Sequence, residues 1–213
     1  IVDPGSATIQ RNAAFGNTRG MLVDNPAAGA PVLVGSTTLA PLTANRLWEN
    51  EAFGLIASGN VTVAGNTVAD QTDAAAIGLQ LTGGATAQSN LVFGNGIGID
   101  AAGGVLLGNR VYNNRQVGIR GDGTDVLENV VYTNPVGMLL TGDGAAVRNN
   151  LVYASQVAGI SLEAASDTEI LNNTLFELSA DTLRIGGGSH DTTLRNNILW
   201  AQDRASGPGR RSF

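Results

Sequence analysis

The 213-residue chain has no cysteine, no lysine, one histidine and only 5% aromatic residues. Without cysteine there can be no disulfide, no thiolate zinc site and no thiol nucleophile. A lone histidine, His190, excludes a histidine-pair metal site. All 12 basic residues are arginine and stand against 18 acidic ones, a net charge of −6. Such a surface lacks the clustered cations that nucleic-acid binding relies on, so no nucleic-acid partner is expected. No apolar run approaches the roughly 20 residues that cross a bilayer, so no membrane insertion is expected either. The start, Ile1-Val2-Asp3-Pro4-Gly5, has neither a basic stretch nor a methionine. It reads as the start of a mature product or of a piece of a longer chain. Charged residues are scarce at 14%, while glycine is plentiful at 29 residues. No stretch sustains a 3.6-residue apolar period, and short Val/Ile/Leu clusters between glycines suit strands and tight turns.

What is present in abundance is a repeat. Nine asparagines align: Asn12, Asn45, Asn66, Asn90, Asn109, Asn129, Asn150, Asn173 and Asn197. Their spacings are 33, 21, 24, 19, 20, 21, 23 and 24 residues, a period that signals a solenoid. Two residues on stands an apolar residue every time, from Ala14 and Leu47 through Val111 and Val131 to Leu199, and this position must point inward. Three residues on stand Phe15, Trp48, Ala69, Phe93, Tyr112, Tyr132, Tyr153, Phe176 and Trp200, aromatic in all but one case. A second polar row five residues on reads Asn17, Asn50, Gln71, Asn95, Asn114, Asn134, Ser155, Leu178 and Gln202, and decays toward the C-terminus.

One coil shows the grammar. Gly98–Ala101 forms a strand, Ala102-Gly103-Gly104 a turn, and Val105–Gly108 a second strand. Asn109 makes a corner and Arg110–Tyr112 a third strand. Gly-Ile-like starts recur at Gly20, Gly54, Gly78, Gly98, Gly118, Gly137 and Gly159. At each bend the asparagine amide bonds its equivalents in adjacent coils, while its own backbone takes a left-handed turn. The expected fold is therefore all-β: a parallel β-helix of about nine coils with three short strands each, roughly 43 Å long. One domain spans 1–203. The segment 25–42, with Pro26, Pro31 and Pro41, is expected to leave the rod as a loop or flap, and 204–213 to be a flexible tail.

The runs Arg148-Asn149-Asn150-Leu151-Val152-Tyr153 and Leu171-Asn172-Asn173-Thr174-Leu175-Phe176 resemble the degenerate repeats of the right-handed parallel β-helix (pectin-lyase-like) superfamily. The resemblance covers the chain apart from the insertion and the tail. It implies fold more than activity. The superfamily includes pectate lyases, polygalacturonases, alginate epimerases, phage tailspikes, surface adhesins and periplasmic copper-insertion proteins, and long polysaccharides are its common ligands.

Three groups of residues are candidates for chemistry. The outward slot after each glycine start reads Leu22, Ile56, Gln80, Asp100, Arg120, Leu139, Ser161 and Arg184. In polysaccharide-active relatives this face is the substrate groove. Asp100, Arg120 and Gln80 would then supply a base, a cation for a uronate and a polar contact; the alternative is an exposed ion pair across two strands. Tyr112, Tyr132, Tyr153 and Trp200 would bind sugar rings if the aromatic row faces water, and would be core if a corner turns it inward. Asp122, Asp143, Asp167 and Asp191, with Asp125 nearby, would form a carboxylate row for calcium, the one cofactor considered, if the turns stack in step.

The catalytic signatures of the resembled families are missing. There is no Asn-Thr-Asp, Asp-Asp or Gly-His-Gly, no Asp-Pro-His, and no cluster of calcium aspartates beside a basic residue. The sequence therefore favours a non-catalytic segment, secreted or on a bacterial cell surface. It would act as scaffold, adhesin or filament subunit, with polysaccharide as ligand and end-to-end or lateral self-association. The alternative is a polysaccharide lyase, hydrolase or C5-epimerase working near Asp100 and Arg120.

Overall fold

The computed structural model describes residues 6–26, 28–38 and 43–202. These residues form 26 strands in three parallel sheets, and no helix occurs among them. Two sheets have nine strands and one has eight, which makes eight complete coils and two strands of a ninth. The glycine sheet runs from Arg19–Asn25 to Asp181–Gly186, the valine sheet from Ala7–Ile9 to Thr193–Arg195, and the aromatic sheet from Ala13–Phe15 to Ile198–Ala201.

The valine and aromatic sheets each send one apolar column into the rod, and the glycine sheet sends two, the second holding Ala57, Leu81, Ala101, Leu140 and Leu162. Leu55, Leu79, Ile99, Ile119, Met138 and Ile160 come from the glycine sheet, while Val63, Ala87, Leu106, Val126, Val147 and Ile170 come from the valine sheet. The aromatic sheet contributes Leu47, Val68, Val92, Val111, Val131, Val152 and Leu175, the inward row expected from the repeat. At the C-terminal end of the described rod, Ile185, Leu194 and Leu199 continue these columns but stay exposed. The glycine starts have a steric cause. A Cβ on Gly98 would lie 2.5 Å from the Gly118 carbonyl oxygen and 2.6 Å from Val111 Cγ1. The chain passes too close to its neighbours there for any side chain.

The asparagine corners form two amide ladders. In the first, Asn109 donates its backbone N–H and Nδ2 to Asn129 Oδ1 at 2.9 and 3.0 Å, and Asn129 repeats the pattern onto Asn150. The spare Nδ2 hydrogen reaches a main-chain carbonyl of the preceding coil, as from Asn129 to Leu106. These amides are buried, and the ladder satisfies them.

Two details differ from the sequence reading. The left-handed residue is the one before the asparagine: Ser89, Asn113, Glu128, Thr133, Asn149 and Asn172 all have φ between 53° and 59°. The asparagine itself must keep its backbone N–H aimed along the ladder. The second row also ends differently. Glu177 donates no amide but accepts from the Ser155 N–H, and Ala201 pairs beside it, so Leu178 and Gln202 are out of the row. That coil is one residue shorter between its corners.

Thr133 is the least suited of the left-handed residues, because its branched Cβ crowds the carbonyl. Thr133→Gly is expected to raise stability by about 1 kcal/mol, read as a higher melting temperature. A decrease would mean the threonine side chain makes a compensating contact.

The expected flap at 25–42 is partly wall. Val32–Gly35 is a strand of the valine sheet, paired with Ala7–Ile9 and Val61–Ala64. The coil that starts at Gly20 still needs its second strand, and Val32-Leu33-Val34 supplies it. The extra residues are thus split around this strand. On its N-terminal side, Asn25 Nδ2 closes a short loop by donating to the carbonyls of Ala30 and Asn60. Residues 27 and 39–42, like the expected tail 204–213, lie outside the described residues.

Candidate functional site

The glycine sheet presents its outward column in one register: Leu22, Ile56, Gln80, Asp100, Arg120, Leu139, Ser161 and Arg184. Asp100 and Arg120 meet face to face. Arg120 Nε donates to Asp100 Oδ1 and Nη2 to Oδ2, each at 2.7 Å. The hydrogen bond to Asp100 raises the Arg120 pKa further, so the guanidinium is a permanent cation. The two side chains are 41% and 19% exposed, so the pair is open to a ligand from outside. Gln80 stands one rung before the pair and Leu139 one rung after it. Both Asp100 oxygens are already tied to Arg120. Further along, Arg184 turns to its own neighbour, Asp181, at 2.8 Å.

The aromatic row faces outward, since its strands alternate with the buried valines. Its rings stack face to face along the rod. Phe93, Tyr112, Tyr132 and Tyr153 follow one another at 4.9 Å between centroids, with interplanar angles of 11°, 7° and 1°. Phe15 stacks on Trp48 at 4.6 Å and Phe176 on Trp200 at 4.3 Å. The faces of Tyr112 and Tyr132 are therefore covered by other rings, leaving their edges and hydroxyls to solvent. Arg110 lies against this stretch, its Nε donating to Tyr132 Oη at 3.0 Å. Burial pushes the Tyr112 phenol up, so it stays protonated over the physiological range. Trp200, 44% exposed, ends the described ladder.

The ladder has one missing ring. Ala69 pairs with Trp48 on one side and with Phe93 on the other, and a cavity of about 150 Å³ opens there. The uncovered faces of Trp48 and Phe93 look at each other across it. In the sequence Ala69 is only the exception in its row.

The four aspartates proposed for calcium do not form one row. Asp122 pairs in register with Thr141, whereas Asp143 pairs with Ser166, whose hydroxyl donates to it, and Ser166 bridges to His190. Asp167 and Asp191 fall one position further on, at left-handed corners. The cause is coil length: Gly118 to Asn129 spans 11 positions and Gly137 to Asn150 spans 13, so counting back from the asparagines loses step between Asp122 and Asp143. Among the described residues no three His, Cys, Asp or Glu side chains converge as metal ligands. His190 sits on an exposed turn beside Asp191, 2.9 Å from its carboxylate.

Known proteins give a consistent picture of the architecture. The family model described as right handed beta helix region matches residues 2–152, and that of a periplasmic copper-binding protein (NosD) matches residues 117–207. No curated protein matches the chain by sequence. Among solved structures, an alginate lyase from a Paenibacillus species is similar at 12% identity and a TM-score of 0.61, covering 92% of this chain and 90% of its own. The periplasmic alginate epimerase gives 14% and 0.57, covering 86% of this chain and only 50% of its own. Pectate lyase Pel9A gives 11% and 0.55, with 98% and 72% covered. At these identities the likeness is one of fold. This chain spans half the length of the periplasmic epimerase. With more than half of its residues matched by the family model, the chain belongs to the right-handed β-helix family.

Proposed function

We propose that this chain is a polysaccharide-binding β-helix module that works outside the cytoplasm and does not itself cleave or epimerise its ligand. The composition of the outward glycine-sheet column carries this reading. Gln80 and the half-open Asp100–Arg120 pair offer hydrogen bonds to a glycan lying across the strands, with apolar Ile56 and Leu139 on either side. Proton abstraction or glycosidic cleavage needs a second acid or base beside the first. On this column the single carboxylate is held by Arg120 at both oxygens. The likeness in fold to enzymes named for alginate and pectate supports the ligand class, and the periplasmic description of the second family model supports the compartment.

Among the described residues the copper named in that same description finds no donor set, and Met21 packs against the core. There is no cysteine, the single histidine faces an aspartate on an exposed turn, and Met138 is buried in the core.

The test pairs two readouts on alginate, polygalacturonate and a neutral glucan: retention in affinity electrophoresis, and release of unsaturated or shortened products. Retention of a polymer without products is expected, weakened in Arg120→Gln. Product formation lost in Asp100→Asn would replace this reading with the enzymatic one. Retention of none of the polymers would dismiss glycan binding.

A further inference from the structure

The gap in the aromatic ladder has the shape of a site. Phe93, Tyr112, Tyr132 and Tyr153 stack in unbroken succession, but Ala69 leaves one face of Trp48 and one of Phe93 without a ring neighbour. Strands two rungs apart are separated by about 9.6 Å, so one inserted ring would lie about 4.8 Å from each neighbour. That matches the 4.9 Å at which the chain's own rings pack. The rim is polar. Arg46, exposed, lines the cavity with its guanidinium carbon 5.6 Å from the Trp48 ring centroid and has no ion pair among the described residues; Thr67 and, just past its strand, Asp70 line it too.

We propose that the Trp48–Ala69–Phe93 slot binds a single pyranose residue of a glycan. This deepens the polysaccharide reading and rests on it. A pyranose presents C–H groups on its two faces and hydroxyls around its equator. The slot has the same distribution, with π-faces above and below and a cation, a carboxylate and a hydroxyl around the edge. A phenyl ring from a protein partner would fill the gap but leave Arg46 and Asp70 without new partners and bury the carboxylate beside apolar edges. The slot holds one ring and lies on a different face from the Asp100–Arg120 column, so it would grip one residue or one chain end while the rest of the glycan runs elsewhere.

Trp48 is one of only two tryptophans, which makes the slot its own reporter. In Trp200→Phe, a ring type the ladder already uses, Trp48 fluorescence is followed while oligogalacturonate, cello-oligosaccharide or p-cresol is added. A saturable change with the acidic or the neutral oligosaccharide is expected, and the one that responds identifies the sugar class. Ala69→Tyr completes the ladder and should abolish the response while raising the melting temperature. Arg46→Gln, an exposed substitution that leaves the rings untouched, should weaken the response about tenfold, a loss typical of a charged hydrogen bond. No change with either oligosaccharide, a change that survives both variants, or a response to p-cresol alone would overturn the slot. Polymer retention measured on the same proteins separates the two levels. If the parent retains polymer and Ala69→Tyr retains it equally, the slot falls and the binding reading stands. If the parent retains none and Trp48 is silent, both fall.

Discussion

Replacing Asn129 with leucine is expected to destabilise the protein by about 3–5 kcal/mol, a drop of roughly 10 °C in melting temperature for a chain of this length. Asn129 is fully buried and sits mid-ladder. Its Oδ1 accepts from the Asn109 N–H and Nδ2, and its Nδ2 donates to Leu106 O, Leu127 O and Asn150 Oδ1. Leucine has a similar volume, so the cavity is small and the cost is polar. It strands two donors of Asn109 and removes a donor from acceptors in the coils on either side. Asn197→Leu is the internal control. That residue is partly exposed in the last described coil; it accepts from Asn173 and donates to Ile170 O, with no further described rung to donate to, so water can replace part of what is lost and the effect should be well under half. Calorimetry gives the stabilities, and hydrogen exchange at the Asn109 amide shows whether the loss is local. Equal costs at both positions, or less than about 1 kcal/mol at Asn129, would mean that apolar packing alone holds the corners.

Glu177→Gln is expected to stabilise the protein at neutral pH by about 1–3 kcal/mol, with the gain shrinking in acid. Glu177 occupies a rung of the second ladder where the coils from Asn17 to Asn134 carry amides, and its side chain is fully buried. Burial pushes its pKa up, opposed by Ser155, whose N–H donates to Oε2. Oε1 has no hydrogen-bond partner. Because its folded pKa lies above the unfolded value of about 4.3, the folded state holds the proton more tightly. The resulting stabilisation is complete below that unfolded value and is lost as pH rises through the higher folded one. A glutamine is neutral throughout, and Gln71 already fills a rung of the same ladder. Melting curves of parent and variant from about pH 4 to about pH 8 should therefore diverge as pH increases. A constant difference, or a less stable variant at neutral pH, would show that the carboxylate is not the weak rung.

Most of the fold was readable because a solenoid repeats its constraints. Asn109, Val111 and Gly118 each occupy one slot in a coil of about 20 residues, and equivalent slots pack only on themselves. One aligned column therefore predicts both an inward row and a ladder. The outward column of Gln80, Asp100 and Arg120 followed from the same counting. Counting failed where coils change length. The longer stretch from Gly137 to Asn150 put Asp122 and Asp143 out of step, the short coil placed Glu177 where Leu178 was expected, and the long first interval concealed the strand Val32–Gly35.

By itself, then, the sequence determined the parallel β-helix, its three rows and the outward column of the glycine sheet, because these depend on local periodicity alone. Tertiary structure decided which way the aromatic row faces, that its rings cover one another, and that Ala69 leaves two faces open. Those properties arise from contacts between residues 19 to 33 positions apart, whose spacing is set by strand pairing. An alanine in an aromatic row is only an exception until the rings above and below it are seen to stack on another ring on one face only.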